Sequence, residues 1–127
     1  ELVHIAEVQD AMNRTAAVRA AELHAPLVLY DTDPLITAVW AEMMFGARDP
    51  WFDRFTGYAD LYLLLDIDLP FVDDGLRVYA KSEERQHFFD LCKAELDARG
   101  VRYAFVRGVG EARFAGALAA TNEVLAN

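Results

Sequence analysis

Two continuous apolar runs, each stopping abruptly in acid, constrain this chain more than any other feature. Leu27-Val28-Leu29-Tyr30 ends in Asp31-Thr32-Asp33, and Leu61-Tyr62-Leu63-Leu64-Leu65 ends in Asp66 and Asp68. Runs without polar alternation read as parallel strands buried on both faces. Around them the apolar spacing is helical. Ile5, Val8, Met12, Ala16, Ala20 and Leu23 recur at steps of three and four, the pattern of an amphipathic helix over 2–23. Asp33 followed by Pro34 opens a second helix that stops before Gly46, because aspartate caps well and proline is tolerated at the first helical position. A third helix is predicted from Ser82 to Arg99, with Ser82 as cap, Glu83 and Glu84 in its first turn and Gly100 as terminator. Residues 102–106 form a weaker strand candidate, and Glu111 to Leu125 reads as a last helix. Strands alternating with helices imply an α/β chain whose parallel sheet is covered on both faces. In such sheets ligands lie beyond the carboxyl ends of the strands.

Composition narrows the classes. Of 127 residues, 12 are Lys or Arg and 21 are Asp or Glu, a net charge of −9, and 54% are apolar. That describes one globular domain over 1–127 with a core. The acid excess is a poor match for nucleic acid, whose affinity rests on Lys and Arg neutralising phosphates. No apolar stretch reaches the roughly 20 residues of a membrane crossing, and the start lacks a secretion-signal pattern, so the expected setting is the cytoplasm. The single cysteine, Cys92, excludes an internal disulfide framework, and His4, His24 and His87 are not spaced with it as a zinc site.

Several constellations can carry chemistry. An aspartate at the end of an apolar strand, as Asp31 is, is how P-loop nucleotide enzymes hold magnesium, often through water. Asp33 is open to two readings, a ligand or a helix cap. Arg77, Lys81 and Arg85 follow one another at steps of four, so on a helix they would share a face. Such a face is either a solvated, salt-bridged surface or an anion clamp whose guanidinium groups close over transferring phosphates. Asp66, Asp68, Asp73 and Asp74 crowd into nine positions. A carboxylate there can accept a hydroxyl proton or hydrogen-bond a ribose diol, or belong to a solvated loop. Trp40, Trp51, Phe52, Phe55, Tyr58 and Phe71 can stack on a flat ring or fill a core, and Cys92 reads as an inert buried thiol.

Taken together, Leu29-Tyr30-Asp31-Thr32-Asp33, Thr37-Ala38-Val39-Trp40, Phe45-Gly46 and Asp68-Leu69-Pro70-Phe71-Val72-Asp73-Asp74-Gly75-Leu76-Arg77 resemble the AAA-type P-loop kinase domain of NadR-like proteins, the ribosylnicotinamide kinases. The order and spacing agree along nearly the whole chain, from the helix around Gln9 to the turn over 108–113. The resemblance implies a three-layer P-loop NTPase fold of the nucleoside- and nucleotide-kinase kind, with a lid at about 73–85. It implies transfer of the γ-phosphoryl group of ATP, with Mg2+, to the 5′-hydroxyl of nicotinamide riboside, a step of NAD salvage. On that reading Asp31, Arg77 and Arg85 are catalytic and Asp31 lies at the metal. Asp33, Asp68, Phe71 and Asp74 face the riboside, Phe71 standing where members of the family often have Trp. Arg77, Arg85, Gly108 and Arg113 contact ATP.

One element of that family is absent from this stretch. Its kinases hold the β- and γ-phosphates with Gly-x-x-x-x-Gly-Lys-Ser/Thr, and none of the seven glycines here is followed by lysine. The expectation is that residues 1–127 are the C-terminal three quarters or so of the domain, that about fifty residues carrying the first strand and phosphate loop precede them, and that this stretch alone is inactive. The alternatives are a P-loop ATPase or kinase with another acceptor, or a non-catalytic regulatory domain that has lost its phosphate loop. The expected partner is a small nucleoside, with neither membrane nor nucleic acid and with self-association open.

Overall fold

The computed structural model describes residues 1–69, 75 and 81–126, which fall into two compact units, 1–57 and 58–127. The first unit is helical. Helix α1 runs Leu2–Glu22, α2 Pro34–Phe45 and the short α3 Pro50–Arg54. Helix α2 begins as its sequence dictates: Asp33, in extended backbone, accepts from the Leu35 amide at 2.9 Å, with Pro34 behind it. It ends on Gly46 at φ 67°, a left-handed position that costs glycine nothing and other residues strain. Asp49 and Pro50 repeat the opening at α3, where Asp49 accepts from the Trp51 amide at 2.9 Å.

The core of this unit is Ala6, Ala38 and Phe52, joined by Leu2, Val3 and Trp51. Alanines at the α1–α2 contact let the two backbones approach closely, and burying Phe52, 1% exposed, contributes about 2–3 kcal/mol. The face of α1 that packs is therefore the one through Leu2, Val3 and Ala6. The apolar stripe read from the sequence turns outward instead, with Ile5, Val8 and Met12 all exposed. Periodicity finds the bulky face of a helix, whereas close packing here selects the small one.

Residues 27–30 overturn a second expectation. They carry no strand, and Leu29 is 76% exposed. An apolar run supplies strand propensity, but a strand exists only where a neighbour completes its hydrogen bonds, and no ladder partner meets this run among the described residues.

The second unit is a βαβ arrangement followed by a helix. Strand β1, Tyr62–Leu65, and strand β2, Tyr103–Val106, pair in parallel from Tyr62↔Tyr103 to Leu65↔Val106. The ladder extends at each end, from the Tyr62 amide to the Arg102 carbonyl at 3.0 Å and from the Asp66 amide to the Val106 carbonyl at 2.8 Å. Helix α4, Ser82–Arg99, makes the crossover, and α5, Glu111–Leu125, packs on β2. Phe89 of α4 meets Phe105 edge to face at 5.6 Å, and the Tyr103 hydroxyl donates to Asp97 at 2.7 Å. Near the end of α4, Glu95 and Arg99 form a largely buried ion pair at 2.8 Å, and Arg99 also donates to the Tyr58 hydroxyl at 3.3 Å. Burial opposes the Arg99 charge, but those two bonds outweigh it and raise its pKa. Burial first, then the Glu95 charge, pushes the Cys92 thiol up to about 11, which keeps it an unreactive thiol at neutral pH. No helix among the described residues is long and apolar enough to cross a membrane.

Candidate functional site

The acidic triplet 31–33 lies in the first unit, between the apolar run 27–30 and α2. Its shape is set from two sides. Asp33, 9% exposed, is committed to capping α2. The Thr32 carbonyl accepts from Asn13 Nδ2 at 2.9 Å, and Asn13 is in turn held by Gln9 at 2.8 Å. Asp31 is left as the exposed carboxylate of the two. Asn13 is thus a residue that the sequence reading missed. Its trace was there in retrospect, an Asn four residues after a Gln on a helix, the spacing at which two amides bond each other.

In the second unit the carboxyl ends of β1 and β2 lie side by side, and the chemistry-bearing residues that follow them interlock. Asp68 accepts from the Gly108 amide at 2.7 Å through one carboxylate oxygen and from Arg113 at 2.6 Å through the other. Arg113 also donates to the Gly108 carbonyl at 3.1 Å and to the Asp66 carbonyl at 2.7 Å. Arg107 reaches the Asp66 carboxylate at 3.2 Å while its guanidinium lies over the Phe105 ring, 4.9 Å from the centroid. The Gly108 amide first, then Arg113, hold the Asp68 carboxyl below its ordinary 3.8, because both favour the charged form. Between Gly108 at φ 96° and Gly110 at φ 58° the main chain makes an open turn: Val109 is exposed, and a side chain at Gly110 would meet nothing within 4 Å.

The predicted site residues therefore divide. Asp68, Gly108 and Arg113 are brought together, and Asp66 and Arg107, left out of the predicted ligand set, belong with them. Asp31 and Asp33 are neighbours in the first unit with different fates, one exposed and one capping. Arg85 is half-buried early in α4, its amide donating to the Lys81 carbonyl at 3.0 Å. Phe71, Asp73, Asp74 and Arg77, and with them most of the predicted lid, lie outside the described residues. The continuous cationic face does not form at Lys81. That residue precedes the helix as its N-cap, in extended backbone at φ −70° and ψ 144°, so its side chain is not in helical register with Arg85. Ser82 is accordingly the first residue of α4 rather than its cap. Glu83 and Glu84 supply negative charge where the helix dipole favours it.

Each unit, taken by itself, offers part of what ATP and magnesium require. The open turn over 108–110 lets a flat ring approach the main chain closely. No group of three potential metal ligands occurs among the described residues. Magnesium bound to substrate phosphates asks for only one or two protein carboxylates, and Asp31 is an exposed one. Residues 1–127 contain no phosphate-loop sequence to grip the β- and γ-phosphates.

A family profile described as an AAA domain matches residues 1–113. No curated protein and no solved structure matches the chain.

Proposed function

The chain belongs to the AAA domain family, which carries the P-loop NTPase fold and nucleotide binding, and from that premise we propose that it forms part of a small-molecule kinase acting on a nucleoside, nicotinamide riboside being the acceptor its sequence resembles most. The observation that carries the nucleotide-binding part of this reading is the family match over residues 1–113, and the nucleoside acceptor rests on the sequence resemblance. Support comes from a parallel strand pair whose carboxyl ends run into an acidic stretch on one side and a glycine turn on the other, the place where open α/β sheets bind ligands. ATP supplies the phosphoryl group and magnesium neutralises part of its charge. No residue among 1–127 is assigned the grip on the β- and γ-phosphates.

The roles proposed for this chain's own residues follow from their chemistry. Asp31 offers an exposed carboxylate for a magnesium-bound water. Asp74 and Phe71 are assigned to the riboside and Arg77 to the phosphates on the resemblance alone. The turn that Gly108 opens, through Val109 and Gly110, receives the base through main-chain atoms. Arg85, half-buried at the start of α4, stabilises charge on the transferring group. Substituting Arg85→Ala should lower kcat roughly a hundredfold while leaving the acceptor KM nearly unchanged, the signature of an interaction made in the transition state. Equal losses in acceptor binding and turnover would remove Arg85 from that role.

The test is titration of the full-length protein with ATP and magnesium, followed by an acceptor screen. Saturable ATP binding and conversion of nicotinamide riboside to its 5′-phosphate are expected. Turnover of another nucleoside, or of a protein hydroxyl, would keep the kinase and change the acceptor. A folded protein blind to ATP would select a non-catalytic domain instead.

A further inference from the structure

Gly108 is gripped on both of its polar atoms. Its amide donates to Asp68 at 2.7 Å and its carbonyl accepts from Arg113 at 3.1 Å, while Arg113 and Asp68 close the ring between themselves at 2.6 Å. The Arg113–Asp66 carbonyl bond at 2.7 Å ties the same guanidinium to the chain leaving β1. Three N–H groups of Arg113 and both oxygens of Asp68 are therefore committed to protein partners. A carboxylate and a guanidinium so engaged are poorly placed to bind a ligand as well, because charge-assisted bonds of this kind are the strong ones and would have to be given up. What they hold is the backbone. At φ 96° Gly108 lies where few residues go, and a glycine turn left to itself samples many shapes.

We propose that Asp68 and Arg113 are positioning residues: a carboxylate–guanidinium clasp that fixes the Gly108–Gly110 turn against the end of β1, so that its main chain is presented in one shape to the base of a purine nucleotide that neither side chain touches. This assignment rests on the nucleotide-binding reading above and moves Asp68 away from the acceptor, where the family resemblance places it, and Arg113 away from direct contact with ATP. The gain is preorganisation, since a turn already ordered loses less freedom when the base binds.

The test compares Asp68→Asn, Arg113→Gln and their combination in the full-length protein, with folding checked by circular dichroism. Two readouts are needed, ATP affinity and hydrogen exchange of the Gly108 amide. Each single substitution should weaken ATP binding roughly tenfold and speed Gly108 exchange at least tenfold, and the double substitution should do little more than either alone, because both break one device. Saturated kcat and the acceptor KM should stay within about twofold. Arg113→Lys should restore only part of the ATP affinity, since an ammonium lacks the planar fork that reaches Asp68 and the Asp66 carbonyl together. A rise in acceptor KM with ATP affinity unchanged would return Asp68 to the acceptor and overturn the proposal. So would multiplied losses in the double variant, or unaltered Gly108 exchange. A wild-type protein that binds no nucleotide would sink the functional reading, and Gly108 exchange would still decide whether the clasp orders the turn.

Discussion

Asp97 shows how an exposed residue acquires a defined pH response. Lys93 donates to one of its carboxylate oxygens at 2.8 Å and the Tyr103 hydroxyl to the other at 2.7 Å. Lys93 first and Tyr103 second hold its pKa below the ordinary 3.8. A carboxyl with a depressed folded-state pKa contributes stability above 3.8 and loses it as pH falls through the folded value. The contribution of Asp97 should therefore be full from about pH 5 to 8, begin to decline below about 4, and be lost only as pH falls through the depressed folded value. Urea unfolding of wild type and Asp97→Asn across that range should show the two curves converging at the acid end. The Glu95–Arg99 pair behaves differently because each side chain is only about a tenth exposed, at 10% and 9%. Arg99→Met would strand the Glu95 carboxylate and cost about 3 kcal/mol, whereas Glu95→Leu combined with Arg99→Met should recover most of it. A single variant as stable as wild type in chemical denaturation would show that the pair has no structural weight.

At the scale of the elements, caps decide where helices begin. Asp33 is buried and bonded to the Leu35 amide, so Asp33→Ala should cost about 1 kcal/mol of unfolding free energy, while Asp33→Asn, which still caps, should cost little. Thermal melts distinguish them, and an activity loss in Asp33→Asn without a stability loss would mark a role in binding beyond the cap. Helices α2 and α4 were legible because their signals are local: Asp33-Pro34, Gly46, the Glu83–Glu84 turn and Gly100 each act within a few residues, whereas the short α3, opened by the same Asp-Pro pair at Asp49 and Pro50, was not read. Strand 103–106 was legible too, within one residue. Residues 27–30 were not, since a strand is a property of two segments and the sequence displays only one of them. The packed face of α1 was misread for a related reason, as the choice of Ala6 over Ile5 depends on what α2 presents. Of the candidate site, the acidic and glycine-rich stretches were visible as stretches. That Asp68 bonds Gly108 and Arg113 was invisible, because forty or more positions separate them in the chain.

Across the whole molecule, the balance of charge and exposed apolar surface sets expectations of its own. Leu29, Phe45, Phe114 and Val109 are among many large apolar side chains left to solvent. The protein should bind an apolar dye such as 8-anilinonaphthalene-1-sulfonate under native conditions, and a fluorescence titration showing no dye binding would mean that those side chains are covered in solution. Parallel pairing also has a consequence in time. Tyr62 cannot meet Tyr103 until the whole of α4 has been traversed, so the ladder closes a long loop, and closing it loses chain entropy before any hydrogen bond is gained. The strands should accordingly appear late in refolding, after the crossover helix, and the turn beyond β2 should take its final shape only when they have.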